Sequence, residues 1–158
     1  MLMKEKLIIR KAKISDAAAM HKLVQHYAKE DLMLPRPLMG IYENIRDYFV
    51  IREGELTIAC AALHVMWEDL AEIKSLAVAE ASQRRGIGTQ LVEACLKEAR
   101  LLGIPTVFCL TYRPAFFEKF GLAQIDKMEL PRKVWTECYR CPKFPDCDEV
   151  ALICNLEV

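Results

Sequence analysis

Between residues 70 and 103 a β-rich run, a glycine-punctuated loop and an amphipathic helix follow one another directly, and no other stretch constrains the fold as tightly. The run LAEIKSLAV (70–78) stops at AEASQRRGIG. Beyond the glycines, Ile87, Leu91, Cys95, Ala99 and Leu102 recur at intervals of 4, 4, 4 and 3, one face of a helix. Gly103 is placed to end that helix, with Pro105 just past it. Glycines between a strand and a helix can form a phosphate cradle. They permit a tight turn and close backbone approach, and the unbonded N–H groups at the helix start point at an anion. Arg84 and Arg85 bring two cations to the same end. A pyrophosphate is a natural occupant, although the same residues also make an ordinary turn with solvated arginines. The spacing is not the dinucleotide G-x-G-x-x-G, and no Gly-Lys-Ser/Thr ending makes it a P-loop.

The flanking sequence supplies the rest of a mixed sheet. LIIR (7–10) is a short β-prone run, and Ser15-Asp16 offers a helix N-cap. Ala17, Met20, Val24 and Tyr27 then mark a helix reaching about Lys29. Pro35 and Pro37 break the pattern, and residues 43–47 predict a short second helix. From Tyr48 the texture reads as two strands around a turn at Glu53-Gly54. After the long helix come a strand at TVFCL (106–110), a short helix at PAFFEKF (114–120) closed by Gly121, and a last strand in EVALICNLEV (149–158). Strands and helices alternating around a hairpin meander indicate a mixed α+β sheet.

With 158 residues the chain fits one domain, 1–158. At 53% hydrophobic it can form a core without disulfides or metal. Lysine plus arginine equals aspartate plus glutamate at 22 each, which argues against a general grip on nucleic acid or an anionic membrane. Charges at Lys4, Glu5, Lys6 and Arg10 interrupt the start, so no signal sequence is expected. No apolar run approaches the ~20 residues of a membrane span. Seven cysteines, an odd number, are expected to be mostly reduced core hydrophobes in a cytoplasmic protein.

Gln83 to Gly88 resembles the Q/R-x-x-G-x-G/A motif of the GCN5-related N-acetyltransferases (GNAT), and the order of elements matches nearly throughout. The resemblance implies the acyl-CoA N-acyltransferase fold, a mostly antiparallel central sheet flanked by helices, with acetyl-CoA as cosubstrate. It assigns Gln83, Arg84, Arg85, Gly86, Ile87, Gly88 and Thr89 to the coenzyme A pyrophosphate and backbone groups of Leu76, Ala77 and Val78 to the pantetheine arm. The stretches LMLPRPL (32–38), ENIRDYFV (43–50), CAALHVMWEDLAEIKSLAV (60–78), FCLTYRPAFFEKFG (108–121) and ELPRKVWTECYRCPKFPDCDE (129–149), about half the chain, are similar to a narrower group. That group is the short amino-acid N-acetyltransferases related to the catalytic domain of N-acetylglutamate synthase. The activity implied is direct acetyl transfer to the α-amino group of an amino acid, L-glutamate first, feeding arginine biosynthesis.

An amine must be neutral to attack a thioester, so a carboxylate that takes its proton is needed. The resemblance places that base at Glu72; a solvated strand acid or a partner for Lys74 is the other reading. Glu68 and Asp69, just before the strand, read as solvated. The tyrosine that many members use to protonate the leaving thiolate falls on Phe117, which cannot donate. Thr111 and Tyr112 are the available hydroxyls, with Thr111 at the position of the synthase's donor and core packing the rival role for Tyr112. A dicarboxylate calls for cations. Arg36, stiffly held between two prolines, matches the synthase's carboxylate-binding arginine, against a plain surface arginine; Arg113, Arg132 and Lys133 are lesser candidates.

Cys138-x₂-Cys141-x₅-Cys147 is the one feature the fold does not explain. Three thiols could hold zinc with a fourth ligand, form a redox pair or simply pack; no histidine is near in sequence. The partners expected are a small amino-acid substrate, with neither nucleic acid nor membrane. Subunit number is open, a homodimer included. The rival functions are acetylation of another small amine or a protein N-terminus, and a catalytically idle coenzyme A-binding regulatory domain.

Overall fold

The hairpin expected at Gly54 forms as β2 (Tyr48–Glu53) and β3 (Leu56–Trp67) in the computed structural model, which describes residues 7–130 and 147–158. Gly54 takes φ +61°, the left-handed conformation glycine adopts without strain. Strand β1 (Leu7–Lys11) lies antiparallel to β2, from Leu7↔Glu53 to Lys11↔Phe49. Helix α1 (Ala17–Ala28) buries Ala17, Met20 and Val24, the stripe its spacing predicts. Asp16 stands at its N-cap, as expected, but its side chain does not cap the helix. A 3₁₀ turn, Ile14–Asp16, precedes it, and the Asp16 carboxylate accepts from the Lys13 N–H at 2.7 Å and from Arg10 at 2.7 and 3.1 Å. Burial alone would raise the Asp16 carboxyl, but Arg10 and the Lys13 N–H together hold it below the usual range.

The second helix also departs from expectation. Helix α2 spans Leu38–Glu43, and residues 45–47 form only a 3₁₀ turn. Pro37 ends the extended loop and begins the helix: at φ −65° its backbone is already set for the cap, and its carbonyl accepts from the Ile41 N–H at 3.2 Å.

Strand β4 (Leu70–Val78), helix α3 (Ile87–Leu102) and strand β5 (Thr106–Thr111) follow where the sequence indicates. Helix α4 (Pro114–Glu118) is shorter than PAFFEKF, with Gly121 at φ +87° beyond it. Strand β7 (Val150–Asn155) lies within the predicted last strand, and β6 (Ala123–Ile125), three residues long, is a strand the sequence did not reveal. Among the described residues seven strands form one sheet, in the order β1-β2-β3-β4-β5-β7-β6. The β1–β2, β2–β3, β5–β7 and β6–β7 ladders are antiparallel; β4 and β5 pair in parallel, from Leu70↔Thr106 to Glu72↔Phe108.

The residues fall into two compact units, one running up to Leu63 with Ile73–Glu98, the other His64–Glu72 with everything from Ala99. The first packs Met20, Val24, Ile41, Tyr48, Val50, Cys60 and Ala77 into a single cluster. The second buries Leu70, Phe108, Leu130 and Ala151 with Met66, Leu110, Ile125 and Ile153 against them. Cys60, Cys95, Cys109 and Cys154 are free and buried, and burial pushes the Cys60 and Cys95 thiols up to about 12. These four serve as small core hydrophobes.

Candidate active site

In the first unit, a 3₁₀ turn (Glu80–Ser82) links β4 to the glycine loop, and α3 begins at Ile87. The first bond closing the helix runs from the Gln90 N–H to the Gly86 carbonyl at 3.2 Å, so the N–H groups before it have no intrahelical acceptor. Gly86 holds φ +73°, and a Cβ built there meets no protein atom within 4 Å. Open space therefore lies beside a left-handed glycine at the start of a helix, which suits close approach of an anion. Arg84 also takes a left-handed φ, +64°, and is exposed. Ile87 is buried, anchoring the helix start, and Gly88 and Thr89 are half-buried.

Three of the expected cofactor residues carry partners that the sequence does not disclose. The Arg85 guanidinium pairs with the Glu53 carboxylate at 2.6 and 3.4 Å. The Gln83 amide donates to the Tyr27 hydroxyl at 2.7 Å, and that hydroxyl donates to the Val78 carbonyl. Leu76 is half-buried and Ala77 belongs to the core.

Strand β4 carries a backbone irregularity at Ser75, φ +56°. Its carbonyl accepts from the Cys60 thiol at 3.5 Å, and its hydroxyl oxygen is buried close to the Tyr48 phenol. Nothing in the β-rich run singles out this serine. Tyr48 is 3% exposed; burial raises its phenol, and the nearby Ser75 hydroxyl and the charge of Arg36 work against that rise. Arg36 is half-buried, so it is not a freely solvated surface arginine.

In the second unit, Glu72 pairs across the parallel ladder with Phe108 and is only 2% exposed, which excludes a solvated strand acid; Glu68 and Asp69 are exposed. Thr111 ends β5, and its hydroxyl oxygen accepts from the Arg113 N–H at 2.9 Å, leaving the hydroxyl proton to donate elsewhere. The Tyr112 hydroxyl donates to Asp148 at 2.7 Å, so its proton is already committed. Phe117 is buried in α4, and Arg113 is exposed at that helix's cap. Cys109 is pushed up by burial first, then by Glu72, Cys154 and Glu149. Glu149, 8% exposed, is thus a second buried carboxylate that sequence patterning missed, because it stands at the margin of the last strand.

Lys133, Arg132, Cys138 and Cys141 lie outside the described residues. Cys147 is free and half-buried, its thiol 3.9 Å from Glu149 Oε1 and its carbonyl accepting from Lys127. Among the described residues, the group with metal-ligand reach is His26, Glu30 and Glu80, all exposed.

Residues 17–122 match the model of the acetyltransferase (GNAT) family. An uncharacterized N-acetyltransferase of Chlorobaculum tepidum is 39% identical over 94% of this chain and 96% of its own. An amino-acid acetyltransferase of Mycobacterium tuberculosis is 35% identical over 84% and 78%. A structure from Mycobacterium tuberculosis in complex with CoA and NLQ superposes with a TM-score of 0.81 at 30% identity, covering 95% of this chain and 99% of that one. The N-acetylglutamate synthase of Neisseria gonorrhoeae, complexed with coenzyme A and N-acetyl-glutamate, superposes with a TM-score of 0.87 over 99% of this chain. At 23% identity that likeness concerns the fold alone, and this chain spans 36% of that one. No helix among the described residues is long and apolar enough to cross a membrane. With its sheet order, its glycine loop and a family match running from α1 to beyond α4, the chain belongs to the acetyltransferase (GNAT) family and is an N-acyltransferase.

Proposed function

We propose that this protein transfers the acetyl group of acetyl-CoA to the α-amino group of an amino acid, L-glutamate before others. The likeness to an amino-acid acetyltransferase, over most of both chains, carries this reading. The amine nitrogen attacks the thioester carbonyl directly, the C–S bond breaks, and the amine's surplus proton passes to a base. Glu72 is that base. Thr111, whose hydroxyl proton is uncommitted to Arg113, donates to the departing thiolate in preference to Tyr112. A thiolate with pKa near 8.5 is a tolerable leaving group in any case, so Phe117 at the usual tyrosine position does not make the domain idle. Arg36 holds a substrate carboxylate, with Arg113 and Lys133 supplementary. The product would enter arginine biosynthesis in the cytoplasm.

Release of free coenzyme A thiol, followed with each of the twenty amino acids in turn, tests the reading. Glutamate is expected to give the highest kcat/KM. Turnover only with a polyamine or a peptide N-terminus would reassign the acceptor, and none with any amine would leave a coenzyme A-binding domain.

The loop at residues 83–88 holds the pyrophosphate, its helix-start N–H groups and Gly86 forming the cradle. Gly86→Val forces a β-branched residue to φ +73°, a strain of about 1–3 kcal/mol, and places its methyls where the phosphate approaches. A Cβ at this position meets no protein atom within 4 Å, so the variant is expected to fold. Its affinity for acetyl-CoA should fall at least about 10-fold by calorimetric titration. Parental affinity would make this an ordinary turn.

A further inference from the structure

We propose that Tyr27 is a positioning residue for the cofactor loop, clamping the loop to the end of β4 before acetyl-CoA arrives. The inference rests on reading residues 83–88 as the pyrophosphate loop. Tyr27 stands in the last turn of α1, its ring packed against the first unit's core. Its hydroxyl donates to the Val78 carbonyl, the last residue of β4. The same hydroxyl oxygen accepts from Gln83 Nε2 at 2.7 Å, and that amide also lies 3.4 Å from the Val78 carbonyl. One hydroxyl thus ties together the strand end and the first residue of the loop. The neighbouring helix residue adds a second tie, His26 Nε2 to Glu80 Oε1 at 2.8 Å, within the turn that joins strand to loop.

The Gln83 side chain accordingly faces Tyr27, and its part is to hold backbone rather than to touch phosphate. The segment between Val78 and Gly86 contains a left-handed non-glycine, Arg84 at φ +64°, a conformation that persists only when its surroundings over-determine it. Without the clamp the loop would sample other conformations, and binding would have to restore one of them. Preorganisation of this kind raises affinity without adding a contact to the ligand.

Tyr27→Phe keeps the ring in the core and removes only the hydroxyl. Acetyl-CoA titrated into the full chain should bind about 3- to 20-fold more weakly, the worth of one or two hydrogen bonds. At saturating acetyl-CoA, kcat should stay within about twofold of the parent, because the clamp does not touch the reacting atoms. Gln83→Leu should weaken binding similarly, and the double variant should lose no more than about twofold beyond the weaker single variant, since both act through one hydroxyl. Gly86→Val serves as the control. If it loses affinity while Tyr27→Phe binds as the parent does, or merely melts earlier with unchanged affinity, the clamp is wrong and the loop assignment stands. Full additivity of the two single effects would likewise overturn the clamp. If Gly86→Val binds normally, the loop reading fails and takes the clamp with it.

Discussion

Replacing Glu72 by glutamine is expected to slow acetylation by about 10²-fold or more at neutral pH, with little change in KM. A free α-amino group is mostly protonated near pH 7 and cannot attack a thioester in that form. Glutamine keeps the length and hydrogen-bonding shape of glutamate and gives up only proton acceptance. Glu72 is 2% exposed, so bulk water is poorly placed to take over its work. Loss of turnover without loss of acetyl-CoA binding is therefore the signature of a base, while parallel loss of both would indicate disturbed packing next to Phe108. The variant's rate should also recover in part as pH rises, because the neutral fraction of the amine grows without help from the protein. Near-normal turnover at pH 7 would falsify the assignment and direct attention to Glu149, a second buried carboxylate among the described residues of that unit.

Local periodicity made most of this fold legible. Helix α3 and strand β4 could be read directly because their apolar residues repeat at helical spacing or crowd into a β-prone run, and both appear at the expected places. Helix α2 lies earlier than the pattern at residues 43–47 suggests because Pro37, a breaker inside a helix, stands here at the N-cap and starts one. Strand β6 leaves no signal in the sequence because three residues are too few for a period; its pairing with β7, Ala123↔Ile153 to Ile125↔Ala151, makes it a strand.

The site divides along the same line. The backbone chemistry of the loop was legible: glycine at residue 86 announces a left-handed φ and an unobstructed approach, and the structure has both. The side-chain partners were not. Arg85 finds Glu53 from 32 residues away and Gln83 finds Tyr27 from 56, so no local pattern could reveal either pairing. Two of the residues the motif assigns to the cofactor are therefore engaged by the protein itself. To reach a cofactor, Arg85 would have to release Glu53 or act from within that ion pair, which at a half-exposed site is worth little. Glu72 illustrates the reverse. Its burial could not be read from a glutamate between alanine and isoleucine, and only the family resemblance singled it out as the candidate base.

Arg36→Ala should cut kcat/KM for glutamate by about 10- to 150-fold, because a charge-assisted hydrogen bond to a carboxylate is worth roughly 1.5–3 kcal/mol. Arg36 is half-buried in the segment between Pro35 and Pro37, immediately before α2, and its charge is felt at the buried Tyr48 phenol. Both prolines restrict the backbone on either side of Arg36, so the loop that presents the guanidinium loses little backbone freedom when it grips an anion. Arg36→Lys should rescue only part of the loss, since a point charge replaces a planar fork. Acetyl-CoA affinity should be unaffected in both variants, which separates this role from that of the loop. Glutamine retains the α-carboxylate and loses the side-chain charge, so it should be the poorer substrate of the parent enzyme. If Arg36 holds the side-chain carboxylate, the preference for glutamate should shrink toward parity in Arg36→Ala. A preference that survives the substitution would put Arg36 on the α-carboxylate and leave the side chain to another cation, Lys133 or Arg113. Parental kcat/KM for glutamate in Arg36→Ala would remove this arginine from substrate recognition altogether.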